Sequence, residues 1–248
     1  MHANERSNPV LAKIRAILAK AEDPGASPEE AQVYFAKAAV LMAKYGVERA
    51  MLAESKPETD KPTSRVVIEN GSYILDRVNL LMWINKALGG QSVRHRVYDR
   101  GTGKYVYRVT LYGYESTLDR VEMLHTSLII QAFNGMKQGT PRWGESTTAY
   151  RKAWLSGFNS AVYHRLHGAE QAAVQEAPRE LGKRSAELVL ASRDETIRAR
   201  FKAAHPQVRT PAKRRLTGSG WSEGNEAGKR ADLGNTRVDS GRRSALAA

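Results

Sequence analysis

Apolar residues return at three- and four-residue steps from the start of the chain. Val10, Leu11, Ile14, Ile17, Leu18 and Ala21 make one stripe, and Ala31, Tyr34, Ala38, Leu41, Met42 and Tyr45 make a second, the spacing of two amphipathic helices. Asp23-Pro24-Gly25 separates them, because proline lacks a donor and restricts the residue before it. Ser27, Pro28 and Glu30 then form a capping-box start. Gly46 suits a left-handed residue closing the second helix, and Ala50 to Leu52 suit one further turn. The pattern predicts a helical hairpin over residues 9–54.

Residues 55–64 are polar, twice interrupted by proline and without periodicity, which reads as a linker. A compact pattern follows. Arg65 to Glu69 reads as a strand, Leu75 to Leu88 as a buried helix stopped by Gly89-Gly90, and residues 91–99 and 104–113 as two strands. Arg100-Gly101-Thr102-Gly103 supplies the turn between them. Long helices are expected from about 116 to 137 and 147 to 169, with Ser116 and Asp119 at the first one's start. A short strand is expected at 186–191 and a helix at 193–204. The fold class is α+β: an N-terminal helical hairpin, a small antiparallel sheet packed with long helices over residues 65–204, and a basic glycine-rich tail at 205–248. Within that tail Gly220, Gly224 and Gly228 recur every four residues. They suit either a small-faced helix packed on the body or a mobile segment, and disorder is expected from Asn235 onward.

Charge sharpens this picture. The chain of 248 residues carries +13. The charge is net −1 over residues 1–60, +5 over 61–140, +2 over 141–192 and +7 over 193–248. Such an excess either keeps the protein soluble or draws it to polyanions. There are no cysteines, so disulfides, thiolate metal sites and cysteine nucleophiles are excluded. No apolar run approaches a membrane span and residues 1–8 lack the apolar segment of a signal peptide, which favours a cytoplasmic protein with no membrane partner.

Two basic groups stand out. If the aromatic side of the strand pair packs on helices, Arg94, Arg96 and Arg108 line the open face of a ribbon that can follow a phosphate backbone. Lys213, Arg214 and Arg215 form a compact cluster in the tail. Tyr98, Tyr112 and Trp143 are available to stack on unpaired bases. His125, His164, Glu115 and Asp119 are acid–base candidates without a motif that joins them, and His95 falls on the apolar side of its strand. His164 and His167 lack a third ligand at metal spacing, and Gly224 to Arg230 departs from a phosphate loop in spacing and in its last residue. No cofactor or metal is implied.

The segments Lys13-Ile14-Arg15-Ala16-Ile17-Leu18-Ala19-Lys20-Ala21-Glu22 and Lys37-Ala38 to Lys44-Tyr45-Gly46 resemble a helical module that opens many bacterial and phage proteins of unknown function. Leu111 to Glu115, Leu118-Asp119 and the segment around Trp154 to Phe158 are similar, more loosely, to the second domain that often follows it. The resemblance implies a bacterial or phage protein and supplies no reaction. The preferred reading is a non-enzymatic nucleic-acid-associated protein whose helical hairpin docks a protein partner or the body itself. The alternative is an enzyme on nucleic acid or a nucleotide with an unrecognised His and carboxylate site.

Overall fold

In the computed structural model, residues 10, 13–14, 16–17, 20, 28–178, 184–209 and 214–231 are described. Six helices with described bounds surround a three-stranded antiparallel sheet, an α+β arrangement. The residues described between 10 and 20 are helical, and Ile14 is fully buried. The expected break at Asp23-Pro24-Gly25 and the Ser27 cap lie outside the described residues. Helix α1, Pro28–Ser55, runs straight through Gly46, so that glycine does not end a helix. It makes room instead: a Cβ there would sit 2.5 Å from Cζ of Arg120. Arg120 donates to the Met42 carbonyl one turn earlier at 3.1 Å. The absence of a side chain serves a close approach and not a left-handed turn.

Residues 55–64 contain a 3-10 turn at Pro57–Thr59 and the first residues of strand β1, which spans Pro62–Glu69 and begins three residues before the expected strand. Arg49 donates to the Thr59 carbonyl. Asp60 is buried and accepts from the Ser116 amide at 3.0 Å, from its hydroxyl at 2.7 Å, and from Arg193. The cap of helix α3, Glu115–Gln138, therefore comes from Asp60, far away in sequence, and not from Ser116 or Asp119.

Helix α2 spans Ile74–Ala87 and is closed by Gly89 at φ +85. Strands β2, Gln91–Asp99, and β3, Lys104–Tyr114, form the expected hairpin. β3 is central, flanked by β1 and β2. Helix α4 spans Thr147–Gln175. Helix α5 occupies all of Ala186–Ala204, where a strand and a shorter helix were expected. Its first apolar run is helical because Ala186, Val189 and Ile197 point inward while Leu188 is exposed, and Ser185 accepts from the Leu188 amide as cap. Helix α6, Trp221–Arg230, realises the small-faced alternative. A Cβ on Gly228 would lie 2.6 Å from the Phe158 carbonyl, and Gly224 lies against the Trp154 backbone. One hydrophobic core joins Ile14, Met42 and Tyr45 to Val78, Leu81, Ile84, Val109, Leu118, Trp154 and Phe158. Each such fully buried aliphatic or Phe side chain contributes about 1.5–3 kcal/mol relative to exposure. No helix among the described residues is long and apolar enough to cross a membrane.

Candidate nucleic-acid interface

The turn between β2 and β3 decides what the ribbon presents. Asp99 accepts from the Gly101 amide at 3.0 Å and the Thr102 hydroxyl at 2.7 Å, and these bonds hold its carboxyl below the usual range. With four residues in the loop, Asp99 pairs with Lys104, Arg96 with Tyr107, His95 with Arg108 and Arg94 with Val109. Paired residues share a face, so Arg94 and Arg96 stand with Tyr107, Val109 and Leu111 on the side covered by α2, while α5 packs on the other side. Arg108 stands on the opposite side with His95. The expected single stripe of Arg94, Arg96 and Arg108 is thus split. Residues of equal parity on the two strands lie on opposite faces in this register.

Arg94 and Arg96 still reach solvent, because β2 is an edge strand and outruns the helix beneath it. Arg94 donates to Oδ1 of Asn79 on α2 at 2.8 Å. Two residues on, the Arg96 guanidinium lies 3.8 Å from the Tyr105 ring centroid. Tyr98 meets Tyr105 edge to face at 5.2 Å. Tyr98 is 51% exposed and Tyr105 55%, and Arg100 and Lys104 beside them are exposed. Among the described residues no carboxylate forms an ion pair with Arg96, Arg100, Lys104 or Arg108. The tip is a pair of oriented rings framed by cations that form no ion pair, with Asp99 engaged by its own turn, a surface suited to a π-face and a phosphate together.

Arg214 is held by the fold. It donates to Asp76 in the first turn of α2 at 2.7 Å, and Asp76 is 3% exposed. Burial raises the Asp76 pKa and the Arg214 charge opposes the rise. The basic cluster read in the tail is therefore tied to the body through Arg214. Arg215 is exposed, and Lys213 lies outside the described residues. Asp76 and Asn79 are three apart on α2, so Arg214 and Arg94 reach neighbouring positions of one helix face.

Of the stacking candidates, Tyr98 and Trp143 are exposed, Trp143 completely. Tyr112 instead contacts Phe201 and hydrogen-bonds to His205 at 3.0 Å. The acid–base candidates have separate partners, with only Glu115 and Asp119 one turn apart on α3. His125 is buried beside Glu69, and burial lowers its pKa. Asp119 pairs with Arg65. His164 lines a 380 Å³ groove between α1 and α4 with Lys44 and Glu176. Glu115 is exposed, and His95 is also exposed, not in the core as its strand pattern suggested. Tyr105 and Asn79 escaped the sequence reading; counting the loop residues and pairing the strands across them would have placed Tyr105 beside Tyr98.

Residues 10–49 match the model of a family described as a protein of unknown function, DUF2786. The match covers the first segment and most of α1, and no part of the β2–β3 hairpin. No curated protein and no solved structure matches the chain.

Proposed function

We propose that this chain is a non-enzymatic nucleic-acid-binding protein of a bacterial or phage cytoplasm. The observation that carries the reading is the exposed tip of the β2–β3 hairpin, where Arg96 is stacked on Tyr105 and Tyr98 sits edge-on beside it. The stack fixes the guanidinium and both rings before any ligand arrives, which reduces the ordering cost of binding. Arg100 and Lys104 supply phosphate contacts, and Tyr98 offers a ring to an unpaired base. Arg108, Arg215 and Lys213 add charge that raises encounter without reading sequence. The dispersal of His125, His164, Glu115 and Asp119 supports binding over catalysis.

The test is fluorescence anisotropy with labelled random-sequence oligonucleotides at about 50 mM salt, where counterion release favours binding. The unaltered chain binds single strands, and affinity falls steeply as salt rises. Replacing Tyr98 and Tyr105 by alanine costs about tenfold or more, since each base stacked on an aromatic ring is worth about 1–3 kcal/mol. Absence of binding at low salt, or a tyrosine double variant of unchanged affinity, overturns the proposal.

A further inference from the structure

The hairpin tip does not exhaust the exposed rings and cations on this side of the molecule. On α2, Asn79, Trp83 and Lys86 follow at four- and three-residue steps and share one face. Asn79 holds Arg94 of the ribbon. One turn further on, Trp83 is 37% exposed and meets Tyr163 of α4 edge to face at 5.6 Å. The Lys86 ammonium lies 5.6 Å from the same Tyr163 ring. His167, one α4 turn beyond, stacks parallel to Tyr163 at 5.9 Å and 3°, and Gln171 bonds its Nε2 at 3.1 Å. Trp83 has no hydrogen bond among the described residues, and Lys86 and His167 are exposed.

This group has the composition of the hairpin tip: an exposed aromatic ring, a second ring edge-on to it, and a cation beside the pair. Between the two groups lie Arg94 and Asn79, hydrogen-bonded to each other. From Asn79 to Lys86 the helix rises about 10 Å, and from Arg94 to Tyr98 the strand extends about 13 Å. The span suits several nucleotides.

Resting on the nucleic-acid reading above, we infer that Trp83, Lys86 and Tyr163 form a second stacking station, and that one single-stranded nucleic acid runs from the hairpin tip along α2 to α4. The two stations take bases by their π-faces, which a single strand offers freely and a duplex keeps inside its own stack. Asn79 and Arg94 between them meet the backbone. The ligand class is therefore single-stranded DNA or RNA, bound with little sequence preference and with a minimum length.

Oligothymidylates of about 4 and about 12 nucleotides, lengths at the low end and within the range of known single-strand sites, separate the two readings. The longer binds the unaltered chain about tenfold tighter and quenches tryptophan emission. Trp83→Phe removes that quenching while Trp143, Trp154 and Trp221 remain. Trp83→Ala and Lys86→Glu each reduce affinity for the longer strand toward that for the shorter, and lower the shorter's affinity by a smaller factor. Thermal melting confirms the fold of each variant. If both variants bind the longer strand as the unaltered chain does, while Tyr98→Ala with Tyr105→Ala loses both strands, the second station is wrong and the hairpin reading stands. If neither oligonucleotide binds the unaltered chain, the hairpin reading fails and the track fails with it.

Discussion

Arg120 and Arg96 contribute the same unit charge to the total of +13, yet their surroundings differ in every respect. Arg120 has a side chain 4% exposed, pairs with Glu170 at 2.7 Å and presses on the backbone of α1 at Gly46. Arg193 is similar, paired with buried Asp60 and lying 3.4 Å from the Tyr114 ring centroid. Around this junction burial raises the pKa values of Glu170 and Asp194, as expected where carboxylates are taken out of water. At the hairpin tip the cations lie beside aromatic rings and, among the described residues, form no ion pair; the one carboxylate of the turn, Asp99, is taken up by the Gly101 amide and the Thr102 hydroxyl. The first region uses charge to join α1 to α3, α4 and α5. The second leaves charge free for something outside. Net charge counts the two alike, and the local partner decides between structure and recognition.

The largest effect that would sharpen this contrast is on stability. Arg120→Ala leaves Glu170 without its counterion, and chemical denaturation at neutral pH should register a loss of about 3–5 kcal/mol. Arg120→Met with Glu170→Leu should recover most of it, because two matched apolar side chains avoid the desolvation cost. Failure of the double variant to recover would mean that the bond to the Met42 carbonyl, and not the ion pair, dominates.

Arg214→Ala should cost less, about 2–3 kcal/mol, because the arginine is partly exposed while Asp76 is not. Its signature is in the pH dependence. The folded Asp76 carboxyl holds its proton to higher pH than the unfolded one, so the folded state binds more protons in that window. Stability then declines as pH rises from the ordinary carboxylate range through the raised folded value, and levels off above it. Arg214→Ala should steepen the decline, and adding Asp76→Asn should flatten it. Equal slopes in all three proteins would exclude Asp76 as their cause.

Arg96→Ala addresses the other region. Single-strand affinity should fall about five- to tenfold, the scale of one cation–π and phosphate contact, with melting unchanged. A matching loss of stability would make Arg96 a structural arginine and erase the contrast. Arg215→Ala should have the smallest effect: a salt slope shallower by about 0.7 for a single strand and stability altered by less than about 0.5 kcal/mol.

What could be read from the sequence was what short-range patterns determine. The hairpin strands came out at 91–99 and 104–113 against an observed 91–99 and 104–114, since alternation and a glycine-bearing loop specify a hairpin locally. The glycine spacing of α6 was legible for the same reason. Long-range partners were not. Gly46 looked like a helix end because nothing nearby reveals Arg120, 74 positions later, occupying the space of its missing side chain. Asp60 lay in a stretch without periodicity, and only the fold shows that it caps α3. The arginine stripe failed on pairing parity, a property of two strands together that neither strand shows alone. Arg214 was read by charge, while its partner on α2 appears only in three dimensions.

The glycine face of α6 has a consequence for how the chain is made. Tyr150 donates to Glu223 and the Asn225 amide group reaches Gly157, pairs separated by 73 and 68 positions. The side of α4 carrying Trp154 and Phe158 is therefore synthesised long before the segment that seals it. Until α6 is made, the backbone of α4 at Trp154, Gly157 and Phe158 lacks the surface that packs against it. A chain that stops before residue 221 lacks the α6 partners of Tyr150 and Gly157. The same small-residue contact that lets the two backbones touch makes α6 a late-arriving cover for α4.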